Sequence, residues 1–217
     1  MNGQSTSGTS RQWGMQVEGM CRNYGGGPRK LQLALEHPEL KPRFYALLAE
    51  LAAEREQMLP LLERGPKWTV QVGTFADNAA MIEAIEAKGY KIGHWTRDLL
   101  GKIQLEKEPV AVEAFEITPG DVGFTDNVRR DVFYAAVEKL GFIPIEPEVG
   151  PQALLQFSEK FELDVWRVIG SQPIVGSDEV LRLFRVGRYS DVVWLSANYG
   201  GPDEGWSPDY RFLFRRK

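Results

Sequence analysis

The chain has 217 residues and a net charge of −4, with 43% apolar and 26% charged residues. This composition is typical of a soluble globular protein, and the acidic balance argues against a general affinity for nucleic acid or anionic membranes. The single cysteine excludes an intrachain disulfide, which favours a cytoplasmic location, and one cysteine with two histidines excludes the usual zinc sites. A carboxylate-rich Mg²⁺ or Ca²⁺ site stays open, but no EF-hand spacing occurs, and we assign neither a metal nor another cofactor.

The first 65 residues divide into two predicted segments. Residues 1–27 are rich in Gly, Ser, Thr and Asn, and we interpret them as a flexible leader without the apolar core of a signal peptide. Residues 28–65 are interpreted as a helical arm, because apolar side chains recur with helical spacing from Phe44 to Leu62. The apolar face of the 42–62 helix most often indicates a role in the core, and a surface for another protein is the alternative. No apolar run reaches the length of a membrane span, so no membrane association is expected.

Residues 66–143 are predicted to form an α/β region with two strand–helix units. Alternating apolar and polar side chains predict strands at 67–74 and 110–117. Apolar residues with helical spacing follow each strand, and Asp77 and Thr125 are the candidate N-caps of the two helices.

The two units have similar sequences at the start of their helices, over residues 72–78 and 122–127. This similarity indicates either a duplicated unit or two helices that use the same start and stop residues. The second interpretation is preferred, because helix caps alone account for most of the match.

Residues 144–217 are predicted to form an antiparallel β-meander. Short strand-like runs separated by Gly, Asp and Ser occur at 153–157, 164–169, 180–186, 191–199 and 210–215. We expect this region to pack with residues 66–143 as one domain, with helices on one side of its sheet. The predicted class is therefore α+β: an N-terminal helical arm, two strand–helix units and a C-terminal antiparallel meander.

The connection between the last two predicted strands contains the densest group of aromatic and acidic side chains. The candidate binding residues are Tyr199, Glu204, Trp206 and Asp209, together with Glu148 from an earlier turn. Aromatic rings can stack on sugars, and two carboxylates about 5–9.5 Å apart can hydrolyse a glycosidic bond. Trp206 is interpreted either as a ligand-stacking residue or as a cover for the end of the sheet. The second role is preferred, because large aromatic side chains in loops usually bury apolar area.

No catalytic motif with a fixed spacing occurs in the chain, and no catalytic residue is assigned. His94 and Asp98 have the spacing of a pair on one helical face, but no nucleophile accompanies them. We therefore favour a non-enzymatic binding or protein-interaction domain. Two alternatives stay open. One is a carboxylate-dependent, carbohydrate-active hydrolase that uses acids near the C-terminal hairpin. The other is a nucleic-acid-associated protein that uses the C-terminal arginines Arg182, Arg185, Arg188, Arg211, Arg215 and Arg216.

Three segments resemble the motifs of an uncharacterised bacterial protein family. They are EVGPQ at 148–152, WRVI at 166–169 followed by PI at 173–174, and WLSANYGGPDEGWSPDYRF at 194–212. The corresponding family motifs are AEVGPxLRLQY, GxWLxIAMxPI and LWLxAYYGxPxxxWxPDYRFVF. The resemblance implies no activity, cofactor or catalytic residue, because none is established for the family. Family members often have Asp where His94 stands, which argues against His94 as a general base.

Overall fold

The computed structural model describes residues 37–39, 41–49 and 63–217. The chain divides into two compact units, Met1–Glu56 and Gln57–Lys217. In the smaller unit, residues 41–49 are helical, as the apolar spacing predicted for this part of the chain.

Most of the predicted N-terminal organisation lies outside the described residues. This applies to the leader at 1–27, to much of the helical arm at 28–65 and to residues 50–62 of the candidate partner helix. A partner surface on the 42–62 helix therefore stays a prediction.

The larger unit is a mixed α and β structure. Its helices are α1 (Asn78–Ala87), α2 (His94–Leu100), α3 (Arg130–Lys139) and α4 (Val149–Phe157), with 3-10 turns at Gly120–Val122 and Ser158–Lys160. Its strands are β1 (Trp68–Val72), β2 (Lys91–Ile92), β3 (Val110–Ile117), β4 (Val128–Arg129), β5 (Phe142–Ile143), β6 (Trp166–Ile169), β7 (Ile174–Val175), β8 (Leu181–Tyr189), β9 (Val192–Tyr199), β10 (Gly205–Trp206) and β11 (Arg211–Arg216).

Nine of these strands form one large, mostly antiparallel sheet. Its order is β1-β3-β11-β6-β8-β9-β2, with β5 beside β11 and β7 beside β8. The pairs β11–β6 and β2–β9 are parallel, and the other pairs are antiparallel. Strands from both predicted regions, 66–143 and 144–217, therefore share this sheet.

The C-terminal strands depart from the predicted meander. β8 and β9 do form a hairpin, paired from Arg182↔Tyr199 to Tyr189↔Val192. The last strand, β11, instead lies between β3 and β6 and runs parallel to β6. A meander places each strand beside its predecessor in the chain, whereas β11 is inserted by pairing with distant strands.

Residues 153–157 were predicted as a strand and belong to helix α4, so this prediction is wrong. A short apolar run fits a buried strand and a buried helix equally well, and only its context decides. Here Pro151 lies in the first turn of the helix, where its missing N–H needs no intrahelical partner.

The two helix starts that have similar sequences are built differently. Asp77 caps α1 as predicted, because its side chain accepts a hydrogen bond of 2.8 Å from the Ala80 N–H. Thr125 does not cap α3: its hydroxyl donates to Asp126, and the helix begins only at Arg130, after β4. This difference supports shared local signals rather than a structural duplication.

Helices cover both faces of the sheet, so the predicted packing on one side is wrong. One core joins α1, α2 and α4 to the first face, with buried Met81, Leu99, Leu154 and Leu213 among its members. A second core joins α3 to the opposite face through Phe133, Val137, Phe212 and Phe214. The three successive residues 212–214 of β11 are all buried, because this strand is covered from both sides.

Candidate functional site

Part of the second face carries side chains that do not belong to the α3 core. Side chains that are paired across a sheet point to the same face. Arg185 and Asn198 therefore lie on the α3 side, because Arg185 is paired with the core residue Val168, and Asn198 with Leu183. We call this region the open face and define it by the residues Trp166, Arg185, Trp194, Ser196 and Asn198.

A first cavity, here called the β9 cavity, has a volume of about 300 Å³ and lies at the end of β9. Its lining residues are Trp95, Arg182, Ala197, Asn198, Tyr199, Glu204, Gly205, Trp206 and Tyr210. Three of the aromatic rings are accessible to solvent, with exposed fractions of 44% for Trp95, 61% for Tyr199 and 38% for Tyr210. The cavity therefore offers ring surfaces to a ligand.

Trp206 lies between this cavity and the second core. Its strand, β10, pairs with β4, and its side chain is only 3% exposed. The ring centroid lies 5.0 Å from that of Tyr210 and 5.0 Å from that of Phe212, both in edge-on arrangements. This burial supports the covering role preferred from the sequence. Tyr210, on the other side of this ring contact, is partly exposed at the cavity.

The indole Nε1 of Trp206 is buried and has no hydrogen-bond partner among the residues that the structure describes. A buried N–H without a partner costs free energy, roughly 1–3 kcal/mol. A ligand with a suitably placed oxygen acceptor would remove this cost, and Trp206 lines the cavity where such a ligand would lie.

Arg182 also lines the β9 cavity, but its charge is already paired with a carboxylate. Its guanidinium donates to both carboxylate oxygens of Asp178, at 2.6 and 2.7 Å. This contact lowers the pKa of Asp178 to about 2. The guanidinium carbon lies 4.4 Å from the ring centroid of Trp95 and 5.9 Å from that of Tyr199. Arg182 therefore positions two rings of the cavity wall and is not free to bind an anion.

A second cavity, here called the Arg185 cavity, has a volume of about 330 Å³. Its lining residues are Asp164, Val165, Trp166, Arg185, Asp209, Tyr210 and Arg211. Tyr210 therefore borders both cavities. The Arg185 cavity lies on the open-face side of the sheet, whereas the β9 cavity also includes Arg182 and Tyr199, which are paired with each other and point to the opposite face.

Arg185 is held in place by an aromatic ring. Its guanidinium carbon lies 4.3 Å from the ring centroid of Trp166. The ring lies across β8 at Gly187, where an added Cβ would come within 2.9 Å of a ring carbon. Gly187 is thus the residue that makes room for the Trp166 ring, and the ring in turn orients Arg185.

The structure brings together three of the five residues predicted to bind a ligand: Tyr199, Glu204 and Trp206 all line the β9 cavity. Asp209 lies at the Arg185 cavity instead, where it accepts a hydrogen bond from the Ser207 hydroxyl that lowers its pKa.

Glu148, the fifth predicted residue, is buried among backbone donors. Its carboxylate accepts hydrogen bonds from the Gly73 N–H at 2.7 Å, the Glu106 N–H at 2.8 Å and the Gln152 amide at 3.0 Å. It lines neither the β9 cavity nor the Arg185 cavity. Glu148 thus links the start of α4 to the segment after β1 and to the segment before β3. It does not converge with Asp209 or Glu204.

His94 and Asp98 do not pair. Asp98 accepts hydrogen bonds from the backbone N–H of Ser177 at 2.7 Å and from its hydroxyl, and these bonds lower the pKa of Asp98. His94 is exposed and contacts Trp95 edge-on, with ring centroids 5.2 Å apart.

The six C-terminal arginines do not share one face. Along β8, Arg185 points to the opposite side of the sheet from Arg182 and Arg188. The remaining three lie on β11, and two of these contact carboxylates. A continuous basic surface with exposed aromatic rings, as nucleic-acid binding would require, is not assembled from them in the described part of the chain.

Sequence reasoning did not assign Trp95 or Trp166 to a site, and it named Arg185 only as one of the C-terminal arginines. They come from α2, β6 and β8, and no local pattern connects them to the 198–212 segment. A Gly directly opposite a Trp, as at Gly187 and Trp166, is a usable signal only once strand register is known.

Within residues 37–39, 41–49 and 63–217, no group of three or more His, Cys, Asp or Glu side chains is placed to hold a metal ion. In the same residues, no helix is long and apolar enough to cross a membrane. Comparison of the chain with protein-family models, curated proteins and solved structures found no match.

Proposed function

We propose that this chain is a non-enzymatic binding protein that binds a carbohydrate in the β9 cavity. The observation that carries the proposal is the meeting of three solvent-accessible aromatic rings with the partnerless, buried Nε1 of Trp206 at one cavity. A sugar ring has apolar C–H faces that pack on aromatic rings, and it has hydroxyl oxygens that can accept a hydrogen bond from an indole N–H.

The polar side chains of the cavity fit the same ligand class. Asn198 offers amide donors and an acceptor, and Glu204 offers carboxylate acceptors for hydroxyl donors. Two charged side chains line the cavity, Arg182 and Glu204. The guanidinium of Arg182 is paired with Asp178, whereas Glu204 forms no ion pair among the described residues. Within the β9 cavity itself, an uncharged polyhydroxylated ring suits this arrangement better than an anionic group does.

Binding is favoured over hydrolysis because the acids are not arranged for catalysis. Glycoside hydrolysis uses two carboxyl groups that flank the scissile bond. The lining residues of the β9 cavity include one carboxylate, Glu204. Asp209 and Glu148 lie at other places, each held by its own hydrogen bonds.

A peptide is the second candidate ligand, and one observation favours it. The short parallel strand β2 pairs with β9 only at Trp194 and Leu195, which leaves the same edge of Ala197–Tyr199 without a strand. A peptide could add to this edge by backbone hydrogen bonds. Such binding would place side chains near the same cavity.

The test is a titration of the ¹⁵N-labelled full chain with neutral monosaccharides and oligosaccharides, followed by NMR. We expect the indole N–H signal of Trp206 to shift, while that of Trp68, in the first core, stays in place. A peptide would instead perturb the backbone amides of residues 197–199. Failure of every neutral sugar to move the Trp206 signal contradicts the proposal.

A matched pair of variants locates the binding site. Tyr199 and Tyr189 are almost equally exposed, at 61% and 62%, but only Tyr199 lines the β9 cavity. Tyr199→Ala is expected to weaken sugar binding about tenfold, a loss typical of one stacking ring. Tyr189→Ala is expected to leave the affinity unchanged, and equal effects of the two variants would place the site elsewhere.

A further inference from the structure

Arg185 carries a positive charge that the fold does not neutralise. The ion pairs of residues 63–217 include Arg182, Arg211 and Arg215, but no carboxylate lies within salt-bridge distance of Arg185. Its Nε is buried and has no hydrogen-bond partner within the described part of the chain. A buried charged donor without an acceptor is costly, so this group is suited to donate a hydrogen bond to a ligand oxygen.

The guanidinium is also held in a fixed orientation. The guanidinium carbon lies 4.3 Å from the ring centroid of Trp166, and the missing side chain at Gly187 leaves room for that ring. A guanidinium that is already oriented loses little freedom when it binds an oxyanion through two parallel N–H groups. Burial lowers the pKa of Arg185, which reflects the loss of water around a charge that an anion would compensate.

The other charged groups of the cavity are committed elsewhere or lie apart. Asp209 is bonded to Ser207, and Arg211 lies 3.6 Å from Glu116. Asp164 lines the cavity without forming an ion pair with Arg185. Neither carboxylate accepts a hydrogen bond from the Nε of Arg185, so among the described residues this charged donor lacks an acceptor.

We propose that the Arg185 cavity binds an oxyanion of the same ligand, so that the ligand is an acidic sugar, either a uronate or a sugar phosphate. This inference rests on the proposed function, because it assumes that a sugar ring occupies the β9 cavity. The two cavities have Tyr210 as a common lining residue, and in this proposal one molecule extends past Tyr210 from the β9 cavity to the Arg185 cavity. The neutral ring contacts Tyr199 and Trp206, and the anionic group reaches Arg185.

The first experiment uses inorganic phosphate alone. In ¹H–¹⁵N spectra of arginine side chains of the full chain, phosphate is expected to shift the Nε–H signal of Arg185. The Nε–H signal of Arg182 should stay in place, because its guanidinium is bound by Asp178. Equal small shifts of all arginines would indicate only general attraction of the ion and would overturn the subsite.

The second experiment compares glucose, glucuronate and glucose 6-phosphate. The preferred acidic sugar is expected to bind about tenfold more tightly than glucose, and the order of the two acids distinguishes a carboxylate site from a phosphate site. Arg185→Gln should abolish this preference while glucose still shifts the Trp206 signal. Equal affinities of all three sugars for the unmodified chain would overturn the inference.

Two further variants serve as an alternative to Arg185→Gln and as a control. Arg185→Lys keeps the charge but loses the planar fork, and it should lose most of the preference even if Arg185→Gln does not fold. Arg188→Gln is the matched control, since Arg188 lies on the other side of β8 and donates to the Ser158 carbonyl. Its preference for the acidic sugar should equal that of the unmodified chain.

The two proposals fail in different ways. If neutral sugars move the Trp206 signal but neither phosphate nor an acidic sugar affects Arg185, the acidic ligand is refuted and carbohydrate binding stands. If phosphate moves the Arg185 signal and no sugar moves Trp206, carbohydrate binding is refuted, and with it the acidic sugar.

Discussion

Glu148 illustrates how a buried acid can have a purely structural role. Its carboxylate is 1% exposed and is surrounded by two backbone N–H groups and one side-chain amide. Hydrogen bonds to a charged acceptor are strong, so these three donors hold the charge without a cation. The same carboxylate joins α4 to Gly73, just after β1, and to Glu106, before β3.

We expect Glu148→Gln to destabilise the fold. Glutamine keeps one carbonyl oxygen, but its NH₂ group faces a backbone N–H that then has no acceptor. The free energy of unfolding, measured with urea, should fall by about 1–3 kcal/mol. Glu159→Gln is the matched control, since Glu159 is exposed on the 3-10 turn after the same helix. Equal losses in the two variants would contradict the role of Glu148.

Trp206 combines packing with an unused donor, and two substitutions separate these properties. Trp206→Ala should reduce the free energy of unfolding by about 3–5 kcal/mol, because it leaves a large cavity beside Phe212. Trp206→Phe keeps a ring there and removes only Nε1 and part of the ring system, so most of the stability should remain. The phenylalanine variant should still lose affinity for neutral sugars. Unchanged affinity would show that the indole N–H makes no contact with the ligand.

At the level of elements, helix α4 replaces a missing strand at one edge of the sheet. β1 has β3 on one side only, and Gln156 contacts its backbone on the other side. The Gln156 carboxamide accepts from the Gln71 N–H at 3.0 Å and donates to the Gln71 carbonyl at 2.7 Å. An edge whose backbone groups are satisfied in this way is protected from pairing with another chain.

This role of Gln156 predicts a local change in hydrogen exchange. Gln156→Leu should speed exchange of the Gln71 amide about tenfold, because its acceptor is lost. Gln172→Leu makes the same substitution at an exposed position and should leave that amide unchanged. A Gln71 amide that is equally slow in both variants would mean that the sheet edge is protected in another way.

Asp178 and Arg182 connect the turn before β8 to the wall of the β9 cavity. Hydrogen bonding to Arg182 lowers the pKa of Asp178 to about 2, from 3.8. Because the pKa is lower in the folded state, the contact stabilises the fold fully above about pH 4 and is lost as the pH falls through about 2. The arrangement of Trp95, Arg182 and Tyr199 should therefore persist at pH 3.

An NMR titration of the Asp178 carboxyl carbon checks this pH dependence. Its midpoint should lie near pH 2 in the unmodified chain and rise toward 3.8 in Arg182→Gln. Arg188→Gln should not move it. A midpoint near 4 in the unmodified chain would mean that the bidentate contact does not persist in solution.

At the scale of the whole molecule, local sequence signals predicted elements better than their arrangement. Alternation located β3 and β9 well, because each strand buries one face more than the other. It could not place β11 between β3 and β6, since that position depends on pairing with strands far away in the chain.

The candidate site shows the same difference between local and long-range information. Tyr199, Glu204 and Trp206 are neighbours in sequence and could be grouped from it. Trp166 and Arg185 meet only through the register of β6 with β8, which no pattern in a single segment encodes.

The larger unit should fold without the rest of the chain. The buried residues of its two cores lie between Trp68 and Phe214. A fragment of residues 63–217 is expected to unfold within about 3 °C of the full chain, because a difference below 1 kcal/mol shifts the midpoint by no more than a few degrees at this size. A fragment with native secondary structure but no near-ultraviolet circular dichroism would contradict this expectation.

The same fragment distinguishes the two kinds of binding that this chain suggests. The β9 and Arg185 cavities are lined by residues 95–211, so the fragment should keep the Trp206 response to sugars and the Arg185 response to phosphate. A protein partner that binds the 42–62 helix would be captured by the full chain and not by the fragment. Loss of both sugar and phosphate responses in a folded fragment would mean that residues 1–62 contribute to the site, and the cavities alone would then not account for binding.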